Sequence, residues 1–275
     1  MTHFSSVLLA VLSVVGISTI GTAAGAADNT AVPEAHVSTV LVTGANKGMG
    51  LELVKEYAAR GARVIATARN PPRATELNAL AAANPRVTVD QLDVTNHLDI
   101  SALASKYAST PIDILINNAG ISGGMQNQMF GKLNYDEFEE VLRVNTIAPL
   151  RISEAFLPNV LASHDKRIVA ISSSEGSIGM VKSSRLYFMR ASKAALNMEM
   201  KNLAYQLKSK GVSVAIINPG MVDTDFMKGV PKKMLRPVSE AVHDIILQYR
   251  QHDGRKHRLL HELRRQNTAL VGHPG

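Results

Sequence analysis

The stretch Val40-Leu41-Val42-Thr43-Gly44-Ala45-Asn46-Lys47-Gly48-Met49-Gly50 decides the fold. Three β-favouring residues run straight into a turn with glycines at 44, 48 and 50. Residues 51–60 follow, with Leu51, Val54 and Ala58 at helical spacing and Gly61 placed as a stop. A strand, a glycine-rich turn and an amphipathic helix make a phosphate-binding unit. The glycines let backbone come close to an anion, and the start of the helix offers N–H groups with no intrahelical partner. A tight turn without a ligand is the competing reading. The strand before and the helix after favour a nucleotide.

Working outward, the same alternation continues. Short apolar runs stand at 64–66, 87–89, 112–116, 168–171 and 212–217, with helical stretches between them. Strands alternating with helices predict a parallel sheet covered on both faces. The expectation is an α/β chain with one Rossmann domain over residues 36–251, a doubly wound parallel sheet with helices on both faces. No linker rich in Pro, Gly or Ser divides this body.

Composition narrows the function. The chain has 275 residues, 45% hydrophobic and 19% charged, which supports one sizeable core and argues against disorder. Aromatic residues are only 4% and Trp is absent, so no stacking platform for single-stranded nucleic acid is expected. The net charge is +7, and a basic surface suits nucleic acid or anionic lipid. Much of that charge, however, lies between Arg255 and Arg265, in a basic C-terminal tail over 252–275. No nucleic-acid partner is expected. There is no cysteine, which excludes disulfides and thiolate chemistry.

The N-terminus reads as an export signal. Residues 7–20 are mostly apolar, fewer than the ~20 needed to span a bilayer. Gly21-Thr22-Ala23-Ala24-Gly25-Ala26-Ala27 then supplies the small residues a signal peptidase needs. A signal peptide over 1–27 is expected, giving an exported mature chain with no membrane span. An uncleaved N-terminal anchor is the alternative, since residues 1–6 hold no Lys or Arg.

Three weaker motifs are set aside, and no metal site is expected. His257 and His261 are one helical turn apart but sit in the basic tail. His261-Glu262 lacks the second His of a zinc protease, with Arg265 in its place. The Ser172–Ser174 cluster lacks the Gly that a hydrolase elbow places two residues before its Ser.

The spacing of the first loop is TGxxxGxG, and at this point the chain resembles the short-chain dehydrogenase/reductase family. Further marks follow in order: Asp93-Val94 after the third strand, Asn117-Asn118-Ala119-Gly120 at the end of the fourth, Asn145 in Val144-Asn145-Thr146, and Pro219-Gly220 with Val222 and Thr224 after the sixth. The likeness runs from about Val40 to Gln251. Residues 192–197 and 171–178 look most like the C-factor and sniffer type of carbonyl reductase. The resemblance implies a dinucleotide on Gly44, Asn46, Lys47, Gly48, Met49 and Gly50, with the adenine near Asp93 and Val94. It also places Asn118, Ala119, Gly120, Pro219, Gly220, Val222 and Thr224 around the cofactor. It implies a small-molecule carbonyl or alcohol substrate, and a homo-oligomer.

The choice of cofactor has a physical argument. NAD binders place a carboxylate at the end of the second strand to accept from the ribose 2′-hydroxyl. Here the strand runs Ala66-Thr67-Ala68-Arg69, with no acid. Arg69, together with Lys47 in the glycine-rich loop, suits a 2′-phosphate, so NADP(H) is expected.

The catalytic residues depart from the family. The resemblance implies Lys193 as the lysine that binds ribose, Ser173 (or its neighbour Ser174) as the serine that steadies the substrate oxygen, and Asn145 as their partner. The family's proton donor is a Tyr four residues before that Lys; this chain has Met189, which has no proton to give. Tyr187 stands six before. On a helix of about 100° per residue, four before Lys193 lies about 40° away, seven before about 20°, and six before about 120°. Tyr187 therefore reaches the site only if the chain is not yet helical there; otherwise it is an aromatic wall of the substrate pocket. Three functions remain open: an NADP(H)-dependent oxidoreductase acting on a carbonyl or alcohol, an enoyl-type reductase suggested by Met189, and a non-catalytic NADP-binding homologue.

Overall fold

The computed structural model describes residues 36–251. Six strands form one parallel sheet in the order β3-β2-β1-β4-β5-β6: β1 (Thr39–Val42), β2 (Arg63–Ala68), β3 (Val87–Gln91), β4 (Ile114–Asn117), β5 (Arg167–Ile171) and β6 (Ser213–Ile217). Each strand falls on one of the six apolar runs of the sequence. The reversal of strand order between β1 and β4 is the switch point of a doubly wound sheet, where such folds hold ligands beyond the carboxyl ends of the strands.

The helices are α1 (Gly48–Ala59), α2 (Thr75–Ala83), α3 (His97–Lys106), α4 (Tyr135–Leu142), α5 (Ala148–Ala155), α6 (Leu157–Leu161), α7 (Tyr187–Leu207) and α8 (Val238–Gln251). They cover both faces of the sheet, and the side chains of β1 divide accordingly. Val40 and Val42 join Leu53, Val54 and Tyr57 of α1 and Val242 and Ile246 of α8. Leu41 points the other way, to Ile100, Ile152, Phe156, Leu196 and Met200. This is the period-2 alternation of a strand buried on both sides. Leu41 has no exposed surface, so truncating it to Ala would cost about 2–5 kcal/mol.

Local signals set the ends of the elements. Gly61 takes φ +84° directly after α1, a left-handed conformation that glycine adopts without strain. Asn96 and Asn134 cap α3 and α4 by accepting from the N–H groups of Leu98 and Glu137. Between α4 and α5 the chain makes one π turn, Arg143–Ile147. No helix among the described residues is long and apolar enough to cross a membrane. The expectations for residues 1–27 and 252–275 lie outside the described residues.

Candidate active site

The glycine-rich loop is fixed from three sides. Ala45 N–H donates to Thr67 O at 2.8 Å and Thr43 N–H to Ile116 O at 3.1 Å, so the loop is tied to both strands beside β1. Asn118, just past β4, holds it as well: its Nδ2 donates to Thr43 O (2.9 Å) and Gly44 O (3.1 Å). Thr43 Oγ1 in turn accepts from the N–H groups of Asn118 and Ala119. Asn118 is thus a structural tie of the cofactor loop.

The glycines are required by space as well as by conformation. A Cβ on Gly44, at φ +65°, would lie 2.9 Å from Ala119 Cα, and one on Gly50 would lie 2.2 Å from Gly44 O. Helix α1 begins with no side-chain cap and no acidic residue in its first turn. Its N–H groups and dipole therefore face the loop uncompensated, the arrangement that binds a phosphate. Arg69 is exposed just past β2 and has no ion-pair partner among the described residues. A cradle that any Cβ would fill, an open helix N-terminus and a free guanidinium fit a phosphorylated dinucleotide.

The loop after β6 closes over this cradle. Pro219 leads into Gly220 at φ +78°, and Val222 is buried and bridged to Arg236. A Cβ on Gly48 would lie 3.3 Å from Thr224 Cγ2, so the absence of a side chain there lets the two loops meet. Lys47 Nζ reaches Asp225 Oδ2 at 2.7 Å, and the Lys47 ammonium holds that carboxyl below the usual range. At the next turn Asp93 Oδ1 accepts from Thr95 N–H and Oγ1–H, and Val94 is buried beside it.

Lys193, Asn145 and Gly120 converge at the end of β5. Lys193 is buried, and its Nζ donates to Ile171 O at 2.8 Å. Burial, with no carboxylate partner among the described residues, lowers its pKa to about 8. A Cβ on Gly120 would lie 3.3 Å from Asn145 Oδ1 and 3.9 Å from Lys193 Nζ. Asn145 sits in the π turn, a feature that recurs at functional sites. Its side chain is fully engaged: Oδ1 accepts from Ile121 N–H, and Nδ2 donates to Ile121 O and Ser192 Oγ.

The serine alternatives separate by their partners. Ser172 Oγ donates to Asn197 Oδ1 at 2.5 Å and is consumed. Ser173 is half-buried and its Oγ accepts from Glu175 N–H at 3.1 Å, which leaves its proton for another oxygen. Ser174 begins the short turn that follows and forms no side-chain hydrogen bond among the described residues. Gly176 in that turn is needed, since a Cβ there would lie 2.7 Å from the backbone carbon of Lys193.

Helix α7 begins at Tyr187 itself, after Leu186 in a left-handed conformation at φ +62°. Tyr187 is thus helical and keeps its offset of about 120° from Lys193. Its ring is partly exposed and packs against Phe130, with centroids 6.2 Å apart. Met189 is buried four residues before Lys193, and the position seven before is Leu186; neither carries a proton.

Two arrangements were not foreseen from the sequence. Gln128 is buried in the loop after β4; its Oε1 accepts from Phe188 N–H at 2.9 Å and Met189 N–H at 3.4 Å, and its Nε2 donates to Ser122 O and Gly124 O. It caps α7 and welds that helix to the loop. Arg190 joins Glu175 (Nε to Oε2, 2.6 Å) to Ser183 and so fixes the loop after β5. Gln128 reaches residues 60 positions away and Arg190 residues 7 and 15 positions away, and no local motif marks either role.

Comparison with known proteins agrees with this geometry. The sequence profile described as short chain dehydrogenase matches residues 38–235. The chain is 35% identical over 198 residues to a 1-hydroxy-2-glutathionyl-2-methyl-3-butene dehydrogenase of Rhodococcus sp. (strain AD45), covering 71% of this chain and 82% of that one. The crystal structure of NADPH-bound carbonyl reductase from chicken fatty liver superposes with a TM-score of 0.71 at 33% identity, over 77% of this chain and 90% of that one. The carbonyl reductase Sniffer of D. melanogaster gives a TM-score of 0.70 at 26% identity, over 77% and 91%. This chain belongs to the short-chain dehydrogenase/reductase family.

Proposed function

We propose that the chain is an NADP(H)-dependent oxidoreductase that interconverts a carbonyl compound and its alcohol. The observation that carries this reading is the buried Lys193 ammonium beside Ile171 O, with Asn145 and Gly120 next to it and the donor-ready Ser173 at the same strand end. NADPH held on the glycine-rich loop would supply a hydride, a proton with two electrons, to the carbonyl carbon. The oxygen then needs one proton. Ser173 Oγ–H steadies that oxygen, and Lys193, with its pKa near 8, is the proton source in place of the missing Tyr. Arg69 and Lys47 support NADP(H) over NAD, and NADPH occupies the related chicken enzyme. The test is transfer of deuterium from NADPH labelled at C4 to the carbonyl carbon, read by mass spectrometry of the alcohol. Tight NADPH binding with no label transferred to any carbonyl compound would sink the reading.

A second reading, a non-catalytic NADP-binding homologue, is favoured by one observation: buried Met189 occupies the donor's place. An enoyl-type reductase has less support, because Leu186 stands at the position seven before Lys193. Export rests on the leader-like residues 1–27, and N-terminal sequencing of the mature chain tests it.

A further inference from the structure

Three loops at the active edge leave much apolar surface in water. Residues 121–134 follow β4, 177–187 run from beyond β5 to the first residue of α7, and 219–237 follow β6. These strands are parallel neighbours, so the loops leave the same edge of the sheet side by side. Eighteen large apolar side chains are exposed among the described residues, and ten of them belong to these loops. Phe130 and Tyr187 touch across the first two loops. Five of the ten are methionines, including Met129 and Met221, whose unbranched side chains adapt to an irregular partner. Single exposed apolar residues need no explanation, but a concentration of them beside a site does.

The same loops carry uncompensated charge. Lys132, Lys182, Arg185, Lys232 and Lys233 are all exposed, and none has an ion-pair partner among the described residues, while exposed Lys228 acts on Asp225 without a direct ion pair. The loops hold two acids, Asp223 and Asp225, and Asp225 is already paired with Lys47. An apolar mouth ringed by free cations discriminates between ligands: it favours a long apolar body, and its potential attracts an anion.

We infer that the substrate is an amphiphilic anion, a carbonyl compound with an extended apolar body ending in a carboxylate. This rests on the carbonyl reductase reading above. The patch lies at the edge where Lys193 and Ser173 sit, so the apolar body is held while the reacting carbonyl reaches them. The anionic end stays outside, against the cations.

The experiment uses the NADPH-bound protein and isothermal titration. The probes are a methyl-ketone carboxylic acid of about ten carbons, its methyl ester, and the corresponding acid of about four carbons. The long acid is expected to bind about tenfold or more tightly than either of the others. Its advantage over the ester should shrink in high salt and in the variants Lys182→Gln/Arg185→Gln and Lys232→Gln/Lys233→Gln. Its advantage over the short acid should shrink in Phe130→Ser. Equal binding of acid and ester, or of long and short acid, overturns the inference. So does tight binding to anionic phospholipid vesicles with no preference among the three compounds. Reduction of a small neutral aldehyde by the same preparation is measured alongside. If that aldehyde is reduced and the three probes bind alike, the substrate inference fails while the carbonyl reductase reading stands. If the long acid is preferred but no carbonyl compound is reduced, the reading fails and the ligand preference stands.

Discussion

Lys193 Nζ and Ile171 O are joined at 2.8 Å across the end of β5, and among the described residues no carboxylate pairs with that buried ammonium. A charge held by a neutral carbonyl weakens the fold wherever the amine is protonated. Because burial lowers the folded pKa to about 8 from an ordinary 10.5, the unfolded chain binds more protons between those values. Cofactor-free protein should therefore gain stability from this group as pH rises from about 8 to 10.5, and gain nothing from it below 8. Lys193→Met should remove that rise. Denaturant melts of both proteins at pH 7, 9 and 10 check it, and parallel pH dependences would contradict it.

The same value sets a kinetic expectation. With Lys193 as the source of the proton, kcat/KM for reduction falls as the amine loses its proton, at a pH below the ordinary range of a lysine because burial lowers its pKa. A Met189→Tyr variant gains a second donor and should move that limb upward in pH. The pH–rate profiles of the two proteins decide this.

Gln128 ties the loop after β4 to the first turn of α7 through both ends of its amide. Gln128→Ala would leave Phe188 N–H and two carbonyls without that partner in a buried place. A loss of about 1–3 kcal/mol is expected in denaturant melts. KM for the carbonyl substrate should rise more than Kd for NADPH, since the loop borders the substrate side. An unchanged melt and an unchanged KM would deny Gln128 this role.

Cofactor preference turns on two cations. Removing the guanidinium in Arg69→Ala should weaken NADPH binding roughly tenfold to a hundredfold and leave NADH nearly untouched. Asp225→Asn should act in the opposite direction, because it releases Lys47 from its 2.7 Å ion pair for the phosphate. Both effects should diminish in high salt. Titration of NADPH and NADH by fluorescence measures all four pairs, and equal losses for both nucleotides would contradict the assignment of Arg69.

Much of the fold was legible because its signals are local. Each strand shows as an apolar run, and Gly44, Gly48 and Gly50 mark the first loop by residue type alone. The structure adds that Gly50 is there because a Cβ would strike Gly44 O, a contact visible only once the helix is in place. The candidate site was legible as a set of positions, through Lys193, Asn145 and Ser173. Their partners were not: Asn145 with Ile121, Gln128 with Phe188 and Glu175 with Arg190 are set by how distant loops meet. The place of Tyr187 also depended on where α7 begins. That point is fixed by the left-handed turn at Leu186, a conformation that leucine rarely adopts and that nothing in the sequence announces.

On the proposed function, a chain with Met189 in the donor's place still reduces carbonyl compounds through Lys193. The direct measurement is steady-state oxidation of NADPH with a panel of ketones and aldehydes, run on the native protein, Tyr187→Phe, Lys193→Met and Met189→Tyr side by side. Native protein and Tyr187→Phe should turn over alike, Lys193→Met should lose activity by at least about a hundredfold, in the range typical of a lost general acid, and Met189→Tyr should be faster than either. If only Met189→Tyr is active, the natural chain binds its cofactor without catalysis and the claim is wrong.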